Sequence, residues 1–444
     1  MRLKVLSSLL ALGMATAAVA QAPAPPAFTF ALHGFVSGTV GVQDAPMNGE
    51  AGLSLFAQQY PGNAKVDRVF WVGDVRQTRL NFSVKGPTVL GGATPTGVVE
   101  IDFFGMQGPG AFGDESVIPR IRLGYVETNW GNDVLRVGQF HDLIITQIPA
   151  SAAHIAFPFA YAAGLVGWRS PGVTYYHKMK LEQTNLELAA QIARNSWATD
   201  NPCAVAAPVP GTCYAGSVNA NSLGEAWGLP QIELKVTVSG GTNASPWPLY
   251  PVGNWLAYLG FHYDQKDLSG AGAVAPPTAK DKLTTYILQG GFKTDMIQNL
   301  TIAANGWWGQ NAGAKLGHIV QFDYGTVAPP VPPSTTGFAD LKGYGAWGQV
   351  GWSPIPHWSA WGFMGFDLVS DWAKSVQTGG PLGNNSRLRN VNSAIMIAYR
   401  DGPWVGAFEW LHSFTTYATV AAGALTGTYT ANGNQGLFTV DYFF

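Results

Sequence analysis

The sequence predicts an all-β fold, a transmembrane antiparallel β-barrel of about sixteen strands with short turns at one end and long loops at the other. Three observations lead there. Apolar side chains fall on every second position in successive stretches of roughly ten residues, the period of a strand with one face in lipid and one in water. Charged residues are only 12% of the chain while glycine reaches 55 and tryptophan 16, too little charge for a large water-exposed surface. Beyond the first twenty residues no apolar run is long enough for a membrane-spanning helix, so the apolar content has to cross lipid at another period.

The first segment, residues 1–20, reads as a secretory signal peptide. Arg2 and Lys4 give a basic start, Val5 to Met14 an apolar stretch, and Ala18-Val19-Ala20 a small-residue cleavage site before Gln21. No cysteine follows that site to carry a lipid. Residues 21–444 show no shift in composition and read as one barrel domain. Without Arg2 and Lys4 the chain carries 23 basic against 27 acidic side chains, so no overall basic field invites nucleic acid.

The first strand follows at Phe28 to Val40, where Phe28, Phe30, Leu32, Val36 and Val40 alternate with Thr29, His33, Ser37 and Thr39. The alternation continues in Arg76 to Lys85, Val98 to Phe104, Arg120 to Thr128, Val134 to Phe140, Val173 to His177, Leu186 to Arg194 and Gln231 to Val238. It resumes in Trp255 to Tyr263, Thr284 to Lys293, Leu300 to Trp308, Tyr344 to Trp352, Trp358 to Leu368, Arg389 to Tyr399 and Val405 to His412. The last strand places Phe438, Val440, Tyr442 and Phe444 on one face. That ending resembles the C-terminal signal read by the outer-membrane barrel assembly machinery, with Phe444 as its final aromatic. Both ends being strands, they can pair and close the barrel; eighteen strands is the alternative count.

Connections alternate in length. Trp130 to Asp133, Met179 to Gln183, Asp295 to Asn299, Pro354 to His357 and Asp401-Gly402 are short, whereas Gln43 to Val75, Asn195 to Pro230, Gln310 to Gly343 and Ser413 to Asn434 are long. Gly86 to Gly97 and Ser239 to Asn254 are longer than a tight turn. With the N-terminus in the periplasm, the short turns are periplasmic and the long loops extracellular. Trp130, Trp352, Trp358, Trp404 and Tyr442 lie near strand ends, where amphipathic rings favour a membrane interface. The run Pro329 to Pro333 cannot join a strand ladder and belongs in an outer loop. Cys203 and Cys213, in a polar loop of an exported chain, are expected to form a disulfide, two free thiols being the alternative; no metal or other cofactor is implied.

The strand period also sorts the charges. Thr78, Leu80, Phe82 and Val84 form an apolar face, which puts Arg79 and Lys85 on the other, and a charge facing lipid at the midplane costs about 2–4 kcal/mol. Glu100 and Asp102 alternate with Val99, Ile101 and Phe103. Arg120 and Arg122 stand opposite Ile121, Leu123 and Tyr125, and Arg136 lies between Leu135 and Val137. Arg79, Lys85, Glu100, Asp102, Arg120, Arg122 and Arg136 are therefore expected to line a lumen. Two readings stay open there: facing charges that screen solutes by a transverse field, or ion pairs that brace the wall. The segment from about 141 to 170, rich in small and apolar residues, is too apolar to extend into water and is the candidate constriction, with Asp142 and His154 as its candidate residues; an ordinary outer lid is the alternative.

Three stretches carry a resemblance: Gln77-Thr78-Arg79-Leu80-Asn81-Phe82, Pro119-Arg120-Ile121-Arg122-Leu123-Gly124-Tyr125-Val126-Glu127 and Leu135-Arg136-Val137-Gly138-Gln139. Together with Arg169-Ser170-Pro171-Gly172-Val173, they are similar to the N-terminal third of DcaP-like porins, over about Arg76 to Tyr176. The resemblance implies arginine-lined pores and a homotrimer. In general porins the third outer loop folds into the barrel, the place that residues 141–170 occupy.

The expected function is an outer-membrane porin, a water-filled channel for passive diffusion of small polar or anionic solutes, with outer-membrane lipid as its surroundings. The competing readings are a structural or adhesive barrel with a plugged lumen and, more remotely, a barrel enzyme. The eight histidines form no evident pair with a neighbouring nucleophile in sequence, so enzymatic activity is not expected.

Overall fold

The computed structural model describes residues 28–47, 51–58, 68–89, 91–105, 117–195, 229–241, 255–297, 299–321, 340–376, 384–422 and 424–444, apart from 268–281. The sequence-based readings of residues 1–20, Cys203, Cys213 and Pro329 to Pro333 lie outside them.

Strand β1 (Thr29–Gln43) is the seam of the barrel. One edge pairs with the last strand from Phe35↔Phe443 to Gln43↔Gln435. The other edge pairs with two collinear pieces, β2 (Phe70–Asp74) and β3 (Arg79–Lys85). Since β2 and β3 together make a single stave, the 17 strand segments form a closed antiparallel barrel of 16 staves, in which each stave pairs with its sequence neighbours. The interruption is local: Asp74 accepts the backbone N–H of Arg76 at 2.6 Å and the Arg76 guanidinium at 2.9 and 3.1 Å, which turns the chain out of the ladder and back.

The remaining staves are β4 (Thr94–Asp102), β5 (Arg120–Asn129), β6 (Asp133–His141), β7 (Arg169–Leu181), β8 (Thr184–Ala193), β9 (Gln231–Gly240) and β10 (Trp255–Asp267). They continue as β11 (Lys282–Ile297), β12 (Leu300–Gln310), β13 (Lys342–Ile355), β14 (Trp358–Val369), β15 (Arg387–Asp401), β16 (Trp404–Ala421) and β17 (Ala424–Phe443). Val36, Phe82, Ile121, Leu234, Met364 and Phe408 are among the exposed outward residues of these strands. An apolar belt open on every side, on a sheet with no free edge, is what a hydrocarbon solvent requires. At the short-turn end Trp404 stacks near Tyr442 at 4.9 Å and Trp358 near Tyr399 at 5.2 Å, part of an exposed aromatic ring with Trp130 and Trp352.

Two expectations about connections are corrected. Ser413 to Asn434, read as a long loop, is instead a tall hairpin: β16 and β17 stay paired up to Ala421↔Ala424. Its Thr, Ala and Tyr residues lack the apolar alternation of a lipid-facing strand because this part of the ladder does not need to face lipid. Gln43 to Val75 contains β2, whose five residues are too few to stand out by periodicity.

The apolar core is inside the barrel and is built mainly from loops. Leu55 and Phe56 from the first long connection, Phe159, Tyr161 and Leu165 from the third, and Ile319 from the sixth pack together against inward residues such as Trp347 and Leu411. Three loops of the same end thus share one core within the wall.

Candidate functional site

The charged wall lies on β3, β4 and β5, where register brings Asn81 opposite Glu100 and Arg120 opposite Asp102. A β-bulge separates those pairs: Glu100 stands opposite Leu123 and Ile101 opposite Ile121, leaving Arg122 as the extra residue. Its guanidinium reaches between both carboxylates, with Nε 2.9 Å from Glu100 Oε1 and Nη1 2.9 Å from Asp102 Oδ2. Arg120 grips Asp102 bidentately at 2.9 and 2.7 Å, and Arg79 Nε lies 3.7 Å from Glu100. Asn81 Nδ2 and the Phe104 N–H, each at 3.2 Å, complete the carboxylate shells.

The bulge also corrects the expected face of two residues. The two-residue period predicts Leu123 and Tyr125 outward with Ile121. One extra residue reverses the alternation, so Val126 is exposed instead, Leu123 is buried, and Tyr125 turns inward against Arg136. A two-residue rhythm read through a bulge inverts every later side chain.

Arg136, on β6, donates to Glu127 at 2.9 and 2.6 Å and to the Tyr176 hydroxyl at 3.2 Å, and lies 3.7 Å from the Phe140 ring centroid. Lys85 ends β3 at the short-turn rim, exposed and on the same face as Arg79. The sequence therefore assembles Arg79, Glu100, Asp102, Arg120 and Arg122 into one network, with Arg136 one layer nearer the turns and Lys85 apart from both. Arg169 belongs beside the network and was missed. It is 8% exposed, stacks on Trp168 at 4.1 Å, and has no carboxylate partner among the described residues. Four arginines set against two carboxylates leave this region with excess positive charge.

Opposite the wall stands the segment 142–168. Its backbone is held by inward polar side chains, one from the break between β2 and β3 and the others from strands around the barrel. Gln77 Oε1 accepts Ile155 N–H at 2.7 Å, Gln349 exchanges two bonds with Ala150 at 2.7 and 2.8 Å, and Asn305 donates to the Gly164 carbonyl at 2.8 Å. Asn390 and Asn392 donate to the carbonyls of Ala162 and Phe159 at 2.9 and 2.7 Å. The segment thus crosses the interior. It meets the arginine wall through aromatic rings: the Arg120 guanidinium lies 5.2 Å from Phe157 and 5.8 Å from Trp168. The inward amides were the legible but unread signal for this arrangement, since an amide can satisfy a loop's N–H and C=O alike.

Asp142 and His154 are both 1% exposed and enclosed by partners. Asp142 takes Lys315 Nζ at 2.9 Å, Ser170 Oγ at 2.7 Å and the Trp168 N–H at 2.9 Å. Burial opposes its charge, but the Lys315 ammonium and these hydrogen bonds prevail and hold its carboxyl down at about 2. His154 bonds Glu409 through Nδ1, and Ser151 Oγ donates to Glu409 at 2.7 Å. Serine and histidine thus share a carboxylate rather than a proton, unlike a nucleophile and its base.

Wall, inward segment and apolar belt together define the class: this is the fold of outer-membrane porins. No protein-family model matches the chain, and no curated protein shows significant sequence similarity to it. Solved structures do share its fold. The outer membrane channel DcaP of Acinetobacter baumannii aligns at TM-score 0.60 with 16% identity, covering 96% of this chain and 99% of that one. An anion-selective porin from Comamonas acidovorans aligns at 0.52 with 11% identity, covering 94% and 100%. OmpT, an outer membrane protein of Vibrio cholerae in a trimer form, aligns at 0.51 with 9% identity, covering 94% and 100%. At these identities the likeness is one of fold.

Proposed function

We propose that this chain is a bacterial outer-membrane porin, a passive channel whose narrowest part lies between the arginines of β3 to β7 and the aromatic face of the inward segment 142–168. The observation that carries the reading is the one-sided layout of the interior. The large loop core packs against Ala303, Trp347, Phe363, Ala394 and Leu411 of β12 to β16, while Arg120, Arg136, Glu127, Glu187 and Lys235, charged side chains that keep partial exposure, stand on β5 to β9. A closed core has no use for such a ladder; a path for solutes does.

Small anionic solutes are favoured. Glu100 and Asp102 are consumed by Arg79, Arg120 and Arg122, so the carboxylates brace the wall and its net field stays positive. The anion selectivity of the Comamonas porin is consistent with that preference, and the trimer form of OmpT with a homotrimer here. The signal peptide at 1–20, a disulfide between Cys203 and Cys213, and recognition of Phe444 by the assembly machinery remain part of the proposal.

The packed three-loop core favours a second reading, a plugged structural barrel. Planar-bilayer recordings of the purified protein separate the two: stable ohmic steps support the channel, and silence across salts and voltages supports the plug.

A further inference from the structure

Three consecutive residues with side chains, His318, Ile319 and Val320, hold φ angles of 53°, 60° and 54°, and Leu316 just before them 64°. Left-handed backbone crowds the Cβ atom and is rarest for β-branched residues such as Ile319 and Val320. A run of this kind persists only where the surroundings over-determine it.

They do so at both ends. Arg387, at a bulge in β15, donates from Nε to the Ile319 carbonyl at 2.8 Å and from Nη2 to the Val320 carbonyl at 2.9 Å. Its own N–H donates to Gln321 Oε1 at 3.0 Å, and the Ile319 N–H donates to Asp367 at 3.2 Å. At the other end Lys315 Nζ bonds Asp142 at 2.9 Å and Gln231 at 2.7 Å, while the Lys315 carbonyl accepts the Gly167 N–H at 2.7 Å. Between these anchors Ile319 is buried in the interior core and His318 packs on Trp307 with ring centroids 5.5 Å apart.

We propose that residues 311–321 are a strained strap: seated, it narrows the long-loop mouth of the channel beside the segment 142–168; released, it gives a wider conducting state. Lys315 and Arg387 are its two latches. Strain raises the energy of the seated form and the latches offset it, which is the balance a two-state element needs. Release returns these residues to ordinary φ and frees the wall side chains that hold them, Arg387, Asp367 and Gln231. The proposal rests on the channel reading given above.

Single-channel recordings on the full-length protein test it, each variant first being shown to keep a heat-modifiable barrel. The wild type is expected to show two conductance levels. Arg387→Gln and Lys315→Gln each raise the occupancy of the larger level by about tenfold, as expected for one lost charge-assisted anchor. Val320→Ala and Val320→Gly trim the same side chain, but only glycine relieves the left-handed strain, so the alanine variant occupies the larger level roughly fivefold more than the glycine variant. A single level throughout, equal occupancies in all four variants, or a glycine variant at least as open as the alanine variant overturns the strap alone. A silent wild type overturns the channel and the strap with it.

Discussion

Arg122 meets Glu100 at 2.9 Å because a bulge adds one residue to β5 and leaves Arg122 unpaired in the ladder. The same guanidinium binds Asp102 at 2.9 Å, so one side chain ties two adjacent carboxylates of β4 to the arginine wall.

Arg122→Ala should therefore do two things. With two carboxylates left short of a buried partner, the barrel loses about 3–5 kcal/mol, read as a lower unfolding midpoint in denaturant. The wall's charge balance falls by one, and the preference for chloride over potassium falls with it. Glu100→Gln shifts selectivity the other way, toward anions.

Replacing both Asn390 and Asn392 by alanine strips the donors that hold the carbonyls of Ala162 and Phe159. Each lost bond leaves a buried carbonyl unsatisfied at about 1–3 kcal/mol. The segment 142–168 should loosen while the wall stays closed. Faster proteolysis within residues 142–168, with unchanged heat-modifiable migration, is the expected result.

Gly138 has φ of 132°, and a Cβ there would fall 2.2 Å from the Gly124 carbonyl oxygen on the neighbouring strand. Gly138→Ala is both strained and blocked by backbone, which cannot yield as a side-chain tip can. Assembly into a folded barrel should drop sharply, measured as the heat-modifiable fraction in membranes, whereas Gly362→Ala, with open space around it, should assemble normally.

The Asp142 carboxyl is held at about 2, below its ordinary value, so its pairing with Lys315 contributes stability that is complete above the usual carboxylate range. That contribution falls as the pH drops below about 4 and is gone only below about 2. Thermal unfolding followed across this window should show a decline that Asp142→Asn removes.

The belt, the strand order and the end-to-end closure were legible because the two-residue rhythm and the lipid penalty act on every strand. Arg79, Glu100, Asp102, Arg120, Arg122 and Arg136 were readable as one inward set for the same reason. What the rhythm could not show was the bulge at Arg122, which reverses Tyr125, or the partners of Asp142 and His154. Those partners, Lys315 and Glu409, lie 173 and 255 residues away in sequence, and only closure of the barrel brings them together. The interior core was hidden because Leu55, Phe159 and Ile319 sit in loops, where no period marks a buried face.

Reversal potential across a KCl gradient, measured on the reconstituted wild type and on Arg79→Ala and Arg120→Ala, tests the central claim most directly. A potential of the sign set by chloride, shrinking in both variants, is the expected result. A potential of the potassium sign, or one that neither substitution alters, would contradict a path bounded by these arginines.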